Sequence, residues 1–384
     1  MLVVVAFVLA AIGLRYAVGN LVGARNGLDF DVYRAAGRAV VHGKSLFGPW
    51  LATQLSVPLP FTYPPFAALV AVPFAMVRAD VGLALWDAVS VVVLTWVVYT
   101  TTRPLLAGRS RLGLVLAVVV ALALAPVQDA LGFGQVGIVL MAMCIYDCTV
   151  ERPRVPRGVM IGVATAIKLL PAMFIPYLWF SGRRRAGVVA AGTGALVTLA
   201  TFIVLPHDSA TYWTSQVFDG NRIGNNAYFS NQSLNGMLRR AFGAPVSALW
   251  IVLVAVVVVF GLREAVFASK RNQELLGVSL VALVTVLASP VSWIHHLVWI
   301  VPVLAVLVGD GTDRRRVGWT VAVALLFTLR LPYVGDSLAH GSHSHWLAGP
   351  LQDSYGLCCV VLLVAMPKLL KLNQPASRPA PAQS

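Results

Sequence analysis

The sequence predicts an all-helical integral membrane protein, and its composition and charge pattern carry that prediction. Of its 384 residues, 58% are hydrophobic and only 11% are charged. The mean hydropathy is +0.80, as expected for a chain that crosses a membrane several times. The net charge of +14 comes from Arg and Lys residues in short clusters between apolar runs, where they indicate topology and contact with membrane phospholipids. No nucleic-acid partner is therefore expected.

A helix needs about 20 residues to cross roughly 30 Å of hydrocarbon, and the apolar runs predict about 12 transmembrane helices on that basis. The runs lie near residues 1–18, 63–78, 80–102, 112–126, 135–150, 158–180, 186–206, 244–262, 275–290, 294–309, 317–333 and 353–367. One of the two short runs at 112–126 and 135–150 is expected to be broken or re-entrant. We expect one membrane domain over 1–372 and a disordered tail at 373–384.

Two long polar loops divide these runs. The first, 19–62, lies inside the first module (1–206), and the second, 207–243, precedes the C-terminal helices (244–372). The positive-inside rule predicts that the basic clusters are cytoplasmic, at 183–185, 263–271, 314–316 and 368–371. Both long loops then face the periplasm or exterior of a multi-pass plasma-membrane protein. The first apolar run has no positively charged n-region and does not look like a cleaved signal peptide.

Soluble nucleotide and metal chemistry have no visible motif in the sequence. Nothing resembles Walker A, a Gly-rich dinucleotide turn or His-Glu-x-x-His. The cysteines, Cys144 with Cys148 and Cys358 with Cys359, lie within apolar runs and are expected to be small core residues. His340, His343 and His345 alternate in a loop without a carboxylate beside them, so a solvated loop is expected rather than a metal site.

Two carboxylates, Asp29 and Asp31, follow the first apolar run in the segment Leu28–Arg34. Acids so near a bilayer are energetically costly unless they have a function. The chain continues as an amphipathic stretch to Phe47, which predicts a helix in the membrane interface. The alternative is that both acids only cap that helix at its positive end.

Further polar residues occur where apolar surroundings are expected. Lys168 lies in the apolar stretch Ala164–Ile175, where an ammonium costs on the order of 3 kcal/mol at a helix centre, so either an anion is near it or it snorkels to the interface. His295 and His296 are adjacent and point about 100° apart on a helix. We favour His295 as a ligand contact, and packing is the alternative.

The second long loop concentrates hydrogen-bonding side chains. Asn231, Gln232 and Asn235 have the donors and acceptors that a sugar needs, and Arg239 or Arg240 suits a phosphate or carboxylate. The alternative is an ordinary helix N-terminus, with Asn231 or Ser233 capping a helix from Leu234 to Arg240. Both descriptions can hold together.

Five short motifs occur in a defined order along residues 61–296. They are Phe-Thr-Tyr-Pro-Pro-Phe at 61–66, Gly-Gln-Val-Gly at 134–137, Lys-Leu-Leu-Pro at 168–171, Asn-Gln-Ser-Leu-Asn-Gly at 231–236, and Ser-Pro-Val-Ser-Trp at 289–293 before His295 and His296. Together with the acidic loop, this order resembles glycosyltransferase family 87, the polyprenyl-phosphate-mannose-dependent mannosyltransferases. The sequence departs from the family where Gly137 stands, since the family often has Asn there.

The resemblance implies a GT-C fold: a helix bundle with short interfacial helices in the first external loop and an active site at the outer membrane surface. It implies transfer of mannose from polyprenyl phosphate mannose to a lipid-linked mannoside, with inversion and an α-1,2 linkage. Similar mycobacterial enzymes extend phosphatidylinositol mannosides or lipomannan, and the Ala, Val, Gly and Arg bias is compatible with an actinobacterial chain.

The residue roles that the resemblance implies fall into three groups, and no cofactor or metal is expected. The catalytic candidates are Asp29 and, as its rival, Asp31. The candidates for contact with the donor phosphate and sugar are Lys168, His295, His296, Arg239 and Tyr63. The candidates for contact with the acceptor are Asn231, Gln232 and Asn235.

Two other classes of function are weighed against a transferase. A flippase or transporter of a lipid-linked sugar would also use intramembrane charge, but it predicts inverted repeats, and none is visible. A non-catalytic membrane scaffold predicts no concentration of polar residues in two outward loops.

Overall fold

A computed structural model of the chain describes residues 27–48, 59–106, 111–340 and 345–370. The regular elements in these ranges are helices, joined by an isolated antiparallel bridge between Asn231 and Trp293. The predicted all-helical class is therefore confirmed. The predicted first span, 1–18, and the predicted disordered tail, 373–384, lie outside the described residues.

The helices of the first half precede the second long loop. They are α1 (Leu28–Val41), α2 (Pro65–Ala75), α3 (Ala79–Thr101), α4 (Arg103–Leu106), α5 (Arg111–Ala123), α6 (Ala125–Gly132), α7 (Gly137–Thr149), α8 (Val159–Ile167), α9 (Phe174–Phe180) and α10 (Arg184–Val204). A 3₁₀ turn at Leu170–Met173 joins α8 to α9.

The helices of the second half begin inside that loop. They are α11 (Pro206–Thr214), α12 (Leu234–Phe242), α13 (Ser247–Lys270), α14 (Glu274–Ala288), α15 (Ile300–Val308), α16 (Arg314–Thr328), α17 (Leu331–Ala339), α18 (His345–Gln352) and α19 (Ser354–Leu369). Further 3₁₀ turns lie at Gln216–Phe218, Gly220–Ile223 and Ile294–Trp299.

The structure does not confirm about 12 spans. Only three described helices, α3, α10 and α13, are long and apolar enough to cross a membrane alone. Three bent pairs raise that number to 6 if each pair is one span: α5 with α6 at 73°, α16 with α17 at 45°, and α18 with α19 at 57°. Several predicted runs form shorter helices because Pro or Gly interrupts them. The expected break falls in the run at 112–126, where α5 ends and α6 begins with Pro at its second residue.

The apolar core lies around α14 and α15, and the long helices surround it. Every residue of α15 is buried, and so is almost all of α14. By contrast, the long helices expose large apolar side chains, such as Val92 at 69%, Ile203 at 84% and Val259 at 69%. Apolar faces of that extent fit contact with lipid tails, so the chain is embedded in a membrane.

The amphipathic stretch of the first loop forms α1, as predicted. Its apolar residues Phe30, Val32, Ala36 and Ala39 are buried, and it packs chiefly along α2. Its N-terminus docks on the turn after α6, where the amides of Gly27, Asp29 and Phe30 donate to the carbonyls of Gly132 and Phe133 at 2.9–3.1 Å. These bonds satisfy amides that a helix leaves unpaired at its start.

The second long loop contains regular secondary structure. It contains α11, two 3₁₀ turns and α12, and the Ser233 hydroxyl accepts from the Gly236 amide at 3.2 Å as the N-cap of α12. The helix-start alternative for this segment is therefore confirmed for Ser233, and the helix runs two residues beyond Arg240.

Candidate active site

A cavity of about 890 Å³ lies between α1, the second long loop and the first half of α13. One end of the cavity is polar, lined by Asp29, Tyr33, Tyr63, Gln135, Lys168 and His296. One flank is apolar, lined by Met173, Trp250, Val254, Val258 and Ala288. The rim carries residues from the second loop: Gln216, Asp219, Arg222, Asn235 and Arg239. Polar groups converging in a large concave site beside an apolar flank are typical of a binding site for an amphipathic ligand.

Lys168 projects into this cavity rather than snorkelling to the interface. It follows the last residue of α8 in an extended conformation, and Pro171 lies in the 3₁₀ turn beyond it. Its Nζ lies 3.2 Å from the Tyr63 hydroxyl and 2.7 Å from His296 Nε2, and 4.9 Å from the centre of the Tyr63 ring. The ammonium can donate to both atoms when the imidazole is neutral, with its proton on Nδ1. The break in the helix thus presents a cation to the cavity.

Asp29 faces the same space from the first turn of α1. Its Oδ2 accepts from Gln135 Nε2 at 2.6 Å. Burial raises the pKa of the Asp29 carboxyl, while the Gln135 hydrogen bond and the Lys168 charge act in the opposite direction. A carboxylate with a raised pKa, held next to a cation in a cavity, has the character of a proton acceptor.

The structure does not bring Asp31 to the cavity, because two residues on a helix turn the side chain by about 200°. Asp31 is 5% exposed and forms ion pairs with Arg34 at 3.5 Å and with Arg38 at 3.9 Å. Arg34 in turn donates to the carbonyls of Phe74 and Val77 near the end of α2. Asp31 therefore helps to hold Arg34, the side chain that joins α1 to the end of α2. Neither acid is the N-cap of α1, which is Gly27 without a side-chain cap, although both lie in the first turn at the positive end of the helix.

Of the two adjacent histidines, the structure brings His296 and not the favoured His295 to the cavity. His296 lies beside Lys168, as described above. His295 is 6% exposed and packs edge-on against Phe133, with ring centres 5.6 Å apart. Both occupy the 3₁₀ turn before α15, whose tighter winding sets which ring faces inward.

Asn231 and Gln232, predicted to contact an acceptor, hold the protein together instead. Asn231 is fully buried: its amide donates to the carbonyls of Asn226 and Pro290, and its Oδ1 accepts from the amides of Ser233 and Ser292. Gln232 is equally buried and joins the loop to the start of α19. Their hydrogen-bonding groups are used internally, so neither is placed to bind a ligand.

Asn235 and Arg239, one turn apart on α12, do line the cavity. Asn235 donates to the Pro290 carbonyl at 3.0 Å and accepts from Arg239 Nε at 3.1 Å. Arg240 points elsewhere: it forms an ion pair with Asp353 at 2.6 Å and donates to the carbonyls of Tyr228 and Asn231. Of the two arginines, Arg239 is the one available to a ligand.

Sequence reasoning missed several residues that line the site. Tyr33 lies four residues after Asp29, so helical spacing alone puts the two side chains on one face. Gln135 stands in a motif that was noted without a role. No sequence signal distinguishes Gln216, Asp219 or Arg222, whose positions depend on how the second loop folds over the cavity.

The described residues of the histidine loop and the four cysteines lie outside the cavity. His340 is exposed and His343 lies outside the described residues, as does the His345 side chain. Cys144, Cys148 and Cys359 are buried and Cys358 is partly buried, all as free thiols, which confirms them as small core residues.

The sequence is similar to known glycosyltransferases. The family model for glycosyltransferase family 87 matches residues 61–290. A "Polyprenol-phosphate-mannose-dependent alpha-(1-2)-phosphatidylinositol mannoside mannosyltransferase" of Mycolicibacterium smegmatis is 34% identical over 321 residues, 77% of this chain and 73% of the relative. Its namesake in Mycobacterium tuberculosis is 34% identical over 341 residues, 83% of this chain and 78% of the relative. No solved structure matches the chain.

A third relative extends the range of acceptors named. It is a "Polyprenol-phosphate-mannose-dependent alpha-(1-2)-phosphatidylinositol pentamannoside mannosyltransferase" of M. tuberculosis, 34% identical over 306 residues, 76% of this chain and 68% of the relative. Given the family match and the coverage of these relatives, the chain belongs to glycosyltransferase family 87. The resemblance found in the sequence is confirmed, and the chain is a glycosyltransferase.

The structural role of Asn231 gives a stability prediction. Asn231→Ala should lower the thermal midpoint of the detergent-purified protein clearly more than Asn235→Ala. Removing Asn231 leaves buried amides of Ser233 and Ser292 without a partner, and each such group costs about 1–3 kcal/mol. Asn235 faces a cavity where water can take its place. Equal midpoints for the two variants would contradict the assignment.

Proposed function

We propose that the chain is an inverting membrane mannosyltransferase, which transfers mannose from polyprenyl phosphate mannose to a hydroxyl of a lipid-anchored mannoside. The acceptor is of the phosphatidylinositol mannoside or lipomannan type, and the linkage formed is α-1,2. The observation that carries the proposal is one cavity with a carboxylate, Asp29, and a cation, Lys168, that form no ion pair with each other among the described residues. The names of the 34% identical relatives support the donor and acceptor classes.

Asp29 is the proposed base. As the bond between the anomeric carbon and the phosphate oxygen breaks, the acceptor hydroxyl attacks from the opposite face and gives its proton to Asp29. Attack from that face inverts the anomeric centre. The polyprenyl phosphate leaves with the bonding electrons, and its negative charge grows in the transition state.

Lys168 is the proposed partner of that growing charge, and His296 orients the ammonium by accepting one of its protons at Nε2. A phosphate leaving group requires cationic and hydrogen-bond donors more than a general acid, and donors already in place lower the barrier most. Tyr63 adds a hydroxyl next to Lys168, and Arg239 reaches the cavity from α12. His295 is proposed only to hold the His296 ring in place. The two rings pack edge to face, with their centres 4.7 Å apart.

The apolar flank suits the lipid part of the donor. Met173, Trp250, Val254 and Val258 adjoin the polar end, so a phosphate on Lys168 would leave the first isoprene units against them. The α13 helix that carries three of these residues also exposes apolar side chains outward, such as Val256 at 58%. Apolar side chains on both the cavity side and the outer side of α13 therefore suit contact with a lipid chain.

The rim suits the sugar part of the acceptor. Gln216, Asp219, Arg222 and Asn235 offer both donors and acceptors, as recognition of several hydroxyls requires. Asn231 and Gln232, whose groups are used internally, are replaced in this role.

We further propose that the cavity faces the outside of the plasma membrane. The α13 helix lines the cavity with its first half and ends at Lys270, and α14 begins at Glu274 and reaches the cavity with its last residues. Arg183 pairs with Glu274 at 2.7 Å, so two of the basic turns lie together at the far end. The positive-inside rule makes that end cytoplasmic. Cytosolic nucleotide sugars would then not reach the site, which favours a lipid-linked donor.

The central test is the loss of transfer when Asp29 is changed. Asp29→Asn should lower the transfer rate roughly 100- to 10,000-fold, the contribution typical of a general base, while expression and donor binding stay largely intact. The matched variant is Asp31→Asn, which removes a carboxylate two residues away and should lower stability rather than turnover. The measurement is transfer from radiolabelled polyprenyl phosphate mannose to purified mannosides.

The reverse pattern, with Asp29→Asn active and Asp31→Asn inactive, would reassign the base to Asp31. If both variants stay active, the catalytic role proposed for α1 is wrong. If the unmodified protein binds the donor but transfers no mannose, a flippase is favoured instead.

We propose that no divalent metal takes part. The described residues contain no group of three or more His, Cys, Asp or Glu side chains that could hold a metal ion, and the Lys168 ammonium can receive a monophosphate directly. Transfer should therefore persist in excess EDTA, and Lys168→Ala should raise the donor KM and lower the rate strongly. Loss of activity in EDTA that Mg²⁺ or Mn²⁺ restores would move phosphate binding to a metal, with Asp29 as a ligand.

Orientation is tested by labelling single cysteines in a background without the four native thiols. Gly48→Cys and Asn225→Cys lie at exposed positions on the cavity side, and Thr312→Cys lies in an exposed loop before the basic start of α16. An impermeant maleimide should label the first two in intact cells and the third only after permeabilisation. The opposite pattern would turn the cavity towards the cytoplasm and make a nucleotide-sugar donor possible.

A further inference from the structure

Gln135 occupies the point where three elements of the site meet. It follows α6 by three residues and is only 3% exposed. Its Nε2 donates to Asp29 Oδ2 at 2.6 Å, and its Oε1 accepts from the hydroxyls of Tyr33 at 3.0 Å and Tyr63 at 3.2 Å. The reversed amide would turn its oxygen towards a carboxylate, so these contacts determine which way the group points.

We propose that Gln135 is a positioning residue for the base: it holds one oxygen of Asp29 and directs the other, Oδ1, at the acceptor hydroxyl. This inference rests on the proposed function of Asp29. Oδ1 makes no hydrogen bond with the residues that the structure describes, and Asp29 lines the cavity. One oxygen is therefore held and the other is left for substrate.

The same amide connects the base to the phosphate end of the cavity. The Tyr63 hydroxyl donates to Gln135 and accepts from Lys168 Nζ at 3.2 Å, and the Tyr33 hydroxyl lies 2.7 Å from it. Lys168, Tyr63, Gln135 and Asp29 thus form a continuous hydrogen-bonded path. The path links the group that receives the proton to the group that receives the phosphate charge, and in-line displacement requires such groups to be held in a defined geometry.

The amide has a second effect, on the charge of the base. Burial raises the pKa of Asp29, and the Gln135 hydrogen bond is the first of the two influences that lower it, the Lys168 charge being the other. The groups that face Asp29 are Lys168 at the end of α8, Tyr63 before α2 and Tyr33 on its own helix, with His296 behind Lys168. Asp31 and Arg34 are turned away towards α2. Among the described residues the side-chain donor to Oδ2 is the Gln135 amide.

The experiment compares Gln135→Leu, which keeps the size of the side chain, with Tyr33→Phe, which removes one donor to its oxygen. Gln135→Leu should lower kcat roughly 10- to 100-fold, part of what a general base contributes, with little change in donor KM. Without the hydrogen bond the pKa of Asp29 rises, so Asp29 protonates more readily. As the pH is lowered, the variant should therefore begin to lose activity at a higher pH than the unmodified protein does. Tyr33→Phe should act in the same direction but less, and add nothing in the Gln135→Leu background.

Two further measurements make the test decisive. Gln273→Leu, outside the cavity in the turn between α13 and α14, is the control for replacing a glutamine and should leave the profile unchanged. Infrared titration of the Asp29 carboxyl band, assigned with Asp29→Asn, follows the same protonation without turnover. If Gln135→Leu does not fold, Tyr33→Phe is measured in its place by both methods.

The inference is overturned if Gln135→Leu leaves both kcat and the loss of activity at low pH unchanged. It is overturned as well if the effects of Gln135→Leu and Tyr33→Phe are additive. It is also overturned if the infrared titration of Asp29 does not move. A protein that transfers no mannose in any variant contradicts the proposed function instead, and the infrared titration then still decides whether Gln135 acts on Asp29.

Discussion

The site depends on the docking of the α1 N-terminus on the turn that follows α6. Three amides of α1 donate to two carbonyls of that turn, and the approach is close enough that a Cβ on Gly134 would lie 2.5 Å from Phe30 Cβ. Gly134 also has φ at +67°, a conformation that glycine adopts without strain. This contact brings Asp29 to Gln135 across 106 positions of sequence. Without it, Asp29 would lose the hydrogen bond from Gln135 that holds its carboxylate.

Charge compensation separates the functional ionic groups from the structural ones. Asp31 with Arg34 on α1, Asp129 with Arg330, and Arg240 with Asp353 are ion pairs at buried or partly buried positions, and the last two join segments more than 100 residues apart. Removing one partner from such a pair leaves an uncompensated charge, so each of these charged side chains is held by a partner of opposite sign. Asp29 and Lys168 share one cavity without pairing to each other among the described residues. Their charges remain available to a hydroxyl proton and a phosphate.

Two residues of the site lie where an apolar run departs from regular α-helix. The run predicted at 158–180 becomes α8, a 3₁₀ turn and α9, and Lys168 projects from the break. The run at 294–309 begins as a 3₁₀ turn, which presents His296. Backbone that leaves a regular helix inside a membrane protein is tolerated where protein or a cavity surrounds it. The predicted count of about 12 spans is not confirmed among the described residues for the same reason, because an apolar run long enough to cross does not have to form one straight helix.

The amino-acid sequence alone determined the membrane class, the family and much of the site: Asp29, Tyr63, Lys168, Asn235 and Arg239 were all singled out and all line the cavity. Asp29 and Lys168 could be found because charged side chains beside or within apolar runs are costly and therefore visible in a linear pattern. Tyr63 came from the family resemblance, and Asn235 and Arg239 from the polar side chains concentrated in the second long loop. Tertiary structure decided between neighbours: Asp29 over Asp31, His296 over His295, and Asn235 over Asn231. It also supplied Gln135. Adjacent residues differ only in the direction they face, and that direction depends on helix phase, on where each helix breaks and on contacts more than 100 residues apart, such as the Gln135–Asp29 separation of 106.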